Sequence, residues 1–103
     1  MTQEQNELIL IAIVPEPLKD DVVDSLMAAS FLSGFSLSKI QGFSQEHNHY
    51  NLSEQVEGYR DFYRFEILHK AGDSAFLVRL LGASSSGNNI RYWVSHLVES
   101  GVV

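Results

Sequence analysis

The chain has no cysteine, which excludes disulfide frameworks, zinc ribbons and thiol catalysis. Basic charge is scarce. Seven Lys and Arg stand against thirteen Asp and Glu, for a net charge of −6. No two basic residues are adjacent, so the clustered cations that neutralise nucleic-acid phosphates or anionic lipid headgroups are missing. Proline occurs only twice, at Pro15 and Pro17. Long apolar runs are also absent. The longest, Leu8–Val14, is far short of the roughly 20 residues that cross a bilayer. The first residues, Met-Thr-Gln-Glu-Gln-Asn-Glu, are acidic where a secretory signal is basic, so the expected compartment is the cytoplasm.

What is present fits a single globular domain over 1–103: the apolar fraction is 45%, enough for a core. Leu8–Val14 is short, β-branched and apolar at both parities. It reads as a buried strand covered on both faces. Pro15-Glu16-Pro17 stops it and opens a helix, with Glu16, Asp20 and Asp21 at the positive end of the helix dipole. Leu18, Val22, Leu26 and Ala29, with Val23 and Met27 beside them, form its apolar stripe. The helix is expected to fade near Ser30–Ser33, with Gly34 as its end signal.

Phe35–Phe43 reads as a second strand and Arg60–Lys70 as a third. In the third, Tyr63, Phe65, Ile67 and His69 share the face turned to the helices, and Phe62, Arg64, Glu66, Leu68 and Lys70 share the other. After Ala71-Gly72, Asp73 or Ser74 can cap a second helix with Phe76, Leu77, Leu80 and Leu81 as its stripe. That helix is expected to end in the turn-forming cluster Gly82–Asn89. Ile90–Val98 reads as the last strand.

The order β-α-β-β-α-β predicts an α+β, ferredoxin-like sandwich with both helices on one sheet face. Phe62, Leu68, Trp93 and Leu97 then lie on the bare face. A bare apolar sheet predicts a homo-oligomer packed through it. Arg64, Glu66, Arg91 and Glu99 alternate in sign on that face and read as cross-strand or inter-subunit ion pairs.

A long loop, Ser44–Asp61, joins strands 2 and 3. Connections of this length are usually functional or disordered. Glu46, His47 and His49 are its sharpest feature. In extended backbone the two histidines project to one side, and two imidazoles with a carboxylate suit zinc, copper or nickel. Further ligands could come from Glu54, His69, His96 or another subunit. The competing reading is that both histidines decorate a solvated loop. For His69 and His96 the simpler reading is a hydrogen-bonded structural role. Tyr50, Leu52, Glu54 and Val56 form a candidate partner-binding segment. Glu54, Glu57 and Asp61 could act as an acid–base pair, but nothing places them around a pocket. No nucleophile elbow or phosphate-loop motif occurs, so no enzymatic activity is expected.

The placement of the loop between strands 2 and 3 resembles that in the PII nitrogen-regulatory signal proteins. The strings Leu52-Ser53-Glu54-Gln55-Val56-Glu57-Gly58-Tyr59-Arg60, Arg64-Phe65-Glu66, Tyr92-Trp93-Val94, Glu99-Ser100-Gly101 and Ser33-Gly34-Phe35 resemble an uncharacterised family of small PII-like bacterial proteins. Its members are often associated with heavy-metal efflux pumps. The resemblance covers nearly the whole chain and implies a trimeric regulatory or accessory protein whose protruding loop senses a ligand or contacts a transporter. It does not carry over nucleotide binding. The glycine-rich phosphate segment with basic residues is replaced by Gly82–Asn89, which has no Lys or Arg, and the Tyr-Arg-Gly string of the PII modification site is missing. A small-molecule sensor binding between subunits and a ligand-free interaction module are the alternatives.

Overall fold

A computed structural model describes residues 7–43, 60–85, 87 and 89–103. Among these residues, four strands and two helices follow the expected order: β1 (Glu7–Pro15), α1 (Lys19–Met27), β2 (Phe35–Gly42), β3 (Arg60–Lys70), α2 (Ser74–Ala83) and β4 (Arg91–His96). Short 3-10 turns, Glu16–Leu18 and Ala71–Asp73, lead into the two helices. The sheet order is β2-β3-β1-β4, antiparallel throughout. This is the ferredoxin-like sandwich, with β1 paired on both sides.

The strand register sorts the side chains. Leu8, Leu10, Ala12 and Val14 of β1 oppose His69, Ile67, Phe65 and Tyr63 of β3, and all point to the helix layer. Leu10, Ala12, Val14, Phe65 and Ile67 meet Leu18, Val22 and Leu26 from the first helical segment and Leu77 and Leu81 from α2 in one buried cluster, with Tyr63 packed against it. Phe35 stacks on Phe65 with ring centroids 6.0 Å apart. The opposite face is open. There Ile9, Ile11 and Ile13 run between Phe62, Arg64, Glu66 and Leu68 on one side and Arg91, Trp93 and Ser95 on the other. Ile11, flanked in register by Glu66 and Trp93, is only 4% exposed. Trp93 is 45% and Leu68 41% exposed.

Several expectations are corrected. Helix α1 stops at Met27, well before Gly34. Its last turn holds no basic residue and does hold Asp24, a carboxylate at the negative end of the dipole, which disfavours extension. Met27 belongs to the solvent side at 73% exposure, as does Phe76 of α2. Phe76 packs on Phe31 instead, with ring centroids 5.1 Å apart. Neither Asp73 nor Ser74 caps α2 through its side chain. The helix runs through Gly82 to Ala83, and the positive φ of 81° falls later, on Gly87, where a side chain would be strained. Strand β4 is shorter than Ile90–Val98 at both ends. The Arg64–Glu66 ion pair, at 2.8 Å, runs along one strand rather than across strands.

Burial separates neighbours in α1 sharply. Leu26→Ala is expected to cost about 2–5 kcal/mol through the cavity it leaves, and Met27→Ala less than about 0.5 kcal/mol. Urea denaturation followed by circular dichroism measures both.

Candidate functional site

The candidate site is the root of the long loop. Strands β2 and β3 stay paired up to Gly42 opposite Arg60, so the chain leaves and re-enters the sheet side by side. Arg60 and Asp61, the last residues of the sequence-defined loop, are already in β3. A β-carbon on Gly42 would come within 2.5 Å of the Phe62 ring. Glycine is therefore the residue that lets this aromatic lie over the end of the ladder.

Beside the root, on the helix-side face, lies an ionic cluster. Lys39 is opposite Tyr63 in the register. Its Nζ stands 3.5 Å from Glu16, in the turn after β1, and 3.9 Å from Asp61. Those carboxylates, Glu16 first and then Asp61, hold the Lys39 pKa above its ordinary value of 10.5. Lys19 lies over the Tyr63 ring, 5.4 Å from its centroid, and pairs with Asp20 at 2.9 Å. Its pKa is raised too, chiefly by the hydrogen bond to Asp20. A shallow groove of about 580 Å³, lined by Lys39, Ile40, Gln41 and Asp61, opens at the same place. The arrangement ties the turn after β1 to both stems of the loop. Charge pairing here positions; no nucleophile joins the lining of the groove.

The sequence-predicted site residues Glu46, His47, His49, Tyr50, Leu52, Glu54 and Val56, with Glu57, lie outside the described residues. The other two histidines are placed. His69 and His96 both flank Leu8, on its two neighbouring strands, about 10 Å apart across two strand spacings. His69 is buried at 5% exposure and uses both ring nitrogens. Its Nδ1 is 3.2 Å from the Ile67 carbonyl oxygen, and its Nε2 is 2.7 Å from Ser74 Oγ. A carbonyl only accepts, so Nδ1 carries the proton, and in the neutral ring the Ser74 hydroxyl donates to Nε2. That is the structural histidine role. It removes His69 as a metal ligand and explains why Ser74 does not cap α2. His96 is exposed. Among the described residues no group of three His, Asp or Glu side chains could hold a metal ion. Asp61, read from sequence as a member of an acid pair, has Lys39 as its partner.

Sequence reasoning missed the Lys39 cluster. Its members are far apart in the chain, and only the β2–β3 register brings Lys39 to Asp61. The signal that could have found it is a lone lysine three residues before the end of a strand whose partner carries an acid at its second position.

The family model described as "Protein of unknown function (DUF3240)" matches residues 4–103. The chain belongs to the DUF3240 family. The crystal structure of a DUF3240 family protein from Shewanella baltica OS155 is 39% identical and superposes with a TM-score of 0.80, covering 95% of this chain and 97% of that one. No curated protein matches the chain. Among the described residues no helix of this DUF3240 protein is long and apolar enough to cross a membrane.

Two outcomes follow. Replacing Lys39 with Met removes a stabilising contribution that is fully present below pH 10.5 and lost as pH rises through the raised Lys39 value. The stability gap between the two proteins therefore closes in strong alkali, and it shrinks with salt because the cluster is exposed. Urea midpoints across pH and ionic strength check this. In a double-mutant cycle, His69→Ala and Ser74→Ala should couple by about 1 kcal/mol, with His69→Ala alone costing about 1–3 kcal/mol.

Proposed function

We propose that this DUF3240 protein is a PII-like regulatory or accessory protein. It acts as a homotrimer packed through the open sheet faces and has no catalytic activity of its own. Its loop, 44–61, binds a zinc, copper or nickel ion through Glu46, His47 and His49. The same loop contacts the cytoplasmic side of a heavy-metal efflux transporter through Tyr50, Leu52, Glu54 and Val56. Binding of metal orders the loop, and the ordered loop engages or releases its partner.

The observation that carries this reading is the root of the loop. A continuous β2–β3 ladder ends at Gly42 and Arg60, and Lys39 braces it against Glu16 and Asp61. A long segment held at both ends by a rigid scaffold is the usual placement of binding residues. The exposed Trp93 and Leu68 on the open face support the oligomer. A second reading, a small-molecule sensor with its site between subunits, is favoured by the groove along Lys39, Ile40, Gln41 and Asp61.

Calorimetric titration of the metal-free protein with zinc, copper and nickel at fixed pH tests the proposal. Saturable binding with a fixed ratio per subunit is expected, abolished by His47→Ala with His49→Ala while the assembly mass stays unchanged. Heat no larger than dilution overturns the metal site. Stabilisation by a small molecule in a thermal-shift panel, lost in Lys39→Ala, would favour the second reading.

A further inference from the structure

The sheet has two edges, and they differ. The outer edge strand β2 carries Lys39, held in its ion cluster, and the polar Ser36 and Ser38. The outer edge strand β4 carries no acid, lysine or proline, and every residue from Arg91 to His96 is exposed. Tyr92 and Val94 on one face and Trp93 on the other are large exposed apolar groups. Natural edges are normally guarded by charge, proline or a cover. This one has a single charge, Arg91, at its start, and among the described residues no element pairs with its outer side.

Its backbone is free in a defined way. The Leu97 N–H donates to the Glu7 carbonyl at 3.4 Å, which continues the β1–β4 register. Antiparallel alternation then directs the backbone groups of Arg91, Trp93, Ser95 and Leu97 to β1. Those of Tyr92, Val94 and His96 point outward. An extended strand is the ligand that matches such a row.

Outside the central Val94-Ser95-His96, the strand is self-complementary about Ser95: apolar Trp93 matches Leu97, apolar Tyr92 matches Val98, and the opposite charges of Arg91 and Glu99 match. We infer that the outer edge of β4 pairs antiparallel with β4 of a second copy of this chain, about a two-fold axis through Ser95. In that register Val94 lies opposite the second copy's His96, Trp93 opposite its Leu97, Tyr92 opposite its Val98 and Arg91 opposite its Glu99. The outward-pointing residues meet each other, as the ladder requires. The apolar pairs fall on matching faces. The end charges are of opposite sign, and among the described residues neither Arg91 nor Glu99 has an ion-pair partner. The inner bonds, between Val94 and His96, form within β4 as it stands; the outer ones extend the strand from His96 through Val98. The two copies place their helices on one side of a continuous eight-stranded sheet. The edge shares Trp93 and Leu97 with the open face, but its pairing runs through backbone groups in the plane of the sheet and does not depend on the loop's ligand.

Sedimentation and light scattering of the full chain over a concentration series test it. The wild type should assemble in even multiples: a dimer, or a hexamer if the faces also form trimers. Val94→Pro removes an outward N–H without touching the β1 ladder, and should halve that even-numbered mass while circular dichroism stays unchanged. Arg91→Glu should weaken association severalfold, and Arg91→Glu with Glu99→Arg should restore it. Leu68→Glu, on the open face, reports face packing separately, splitting a hexamer to dimers. A wild-type monomer or trimer, a mass unaffected by Val94→Pro, or a charge swap that does not restore association would each overturn the edge pairing. A trimer unaffected by Val94→Pro would leave the face packing standing.

Discussion

The fold depends on β1 being central. Its backbone is paired on both sides, to β3 and β4, and its two rows of side chains serve two different surfaces. The even row, Leu8 to Val14, builds the core under the helices. The odd row, Ile9 to Ile13, makes the middle of the open face. A strand that must be apolar at every position cannot sit at an edge, so the composition of this stretch determines where the other three strands go. Ile11 shows the result: it lies on the uncovered side of the sheet and is almost fully buried, shielded by its own neighbours.

Much of this was legible in the chain because both periodicities are strong. The alternation in β3 assigned Tyr63, Phe65, Ile67 and His69 to the inner face, and the repeat at Leu18, Val22 and Leu26 assigned the α1 stripe. Both assignments hold. Failures cluster where local signals compete. Gly34 looked like a helix end, but Asp24 sits where the dipole disfavours it and the helix ends a turn and more earlier. Ser74 looked like a cap, but a buried imidazole nitrogen is a better use of its hydroxyl. Met27 and Phe76 looked like core, yet each stands at the rim of its stripe. The ionic cluster at the loop root was harder to read for a different reason: Lys39 and Asp61 are joined by the β2–β3 register and Glu16 by the turn after β1, so no single stretch holds all three.

The two parts of the molecule obey different physics. The sheet and helices are held by apolar burial that salt leaves largely unchanged. At the loop root the end of the β2–β3 ladder is supplemented by exposed ion pairs, which are weak individually and screened by salt. A loop rooted in this way can be biased by charge, whether from an ion or from an approaching surface, without disturbing the core beneath it.

The pairing of β1 with β4 joins Leu8 to His96, near opposite ends of the chain. The central strand is therefore completed by the last one. Until β4 docks, β1 exposes one backbone edge together with its isoleucines, and most of the sheet's cohesion rests on contacts distant in sequence. Such topologies fold slowly for their size, since chain closure must precede the contacts that reward it. An unpaired β1 edge is a row of free N–H and C=O groups of the kind that templates pairing with another chain, and in the folded protein β4 is what closes it.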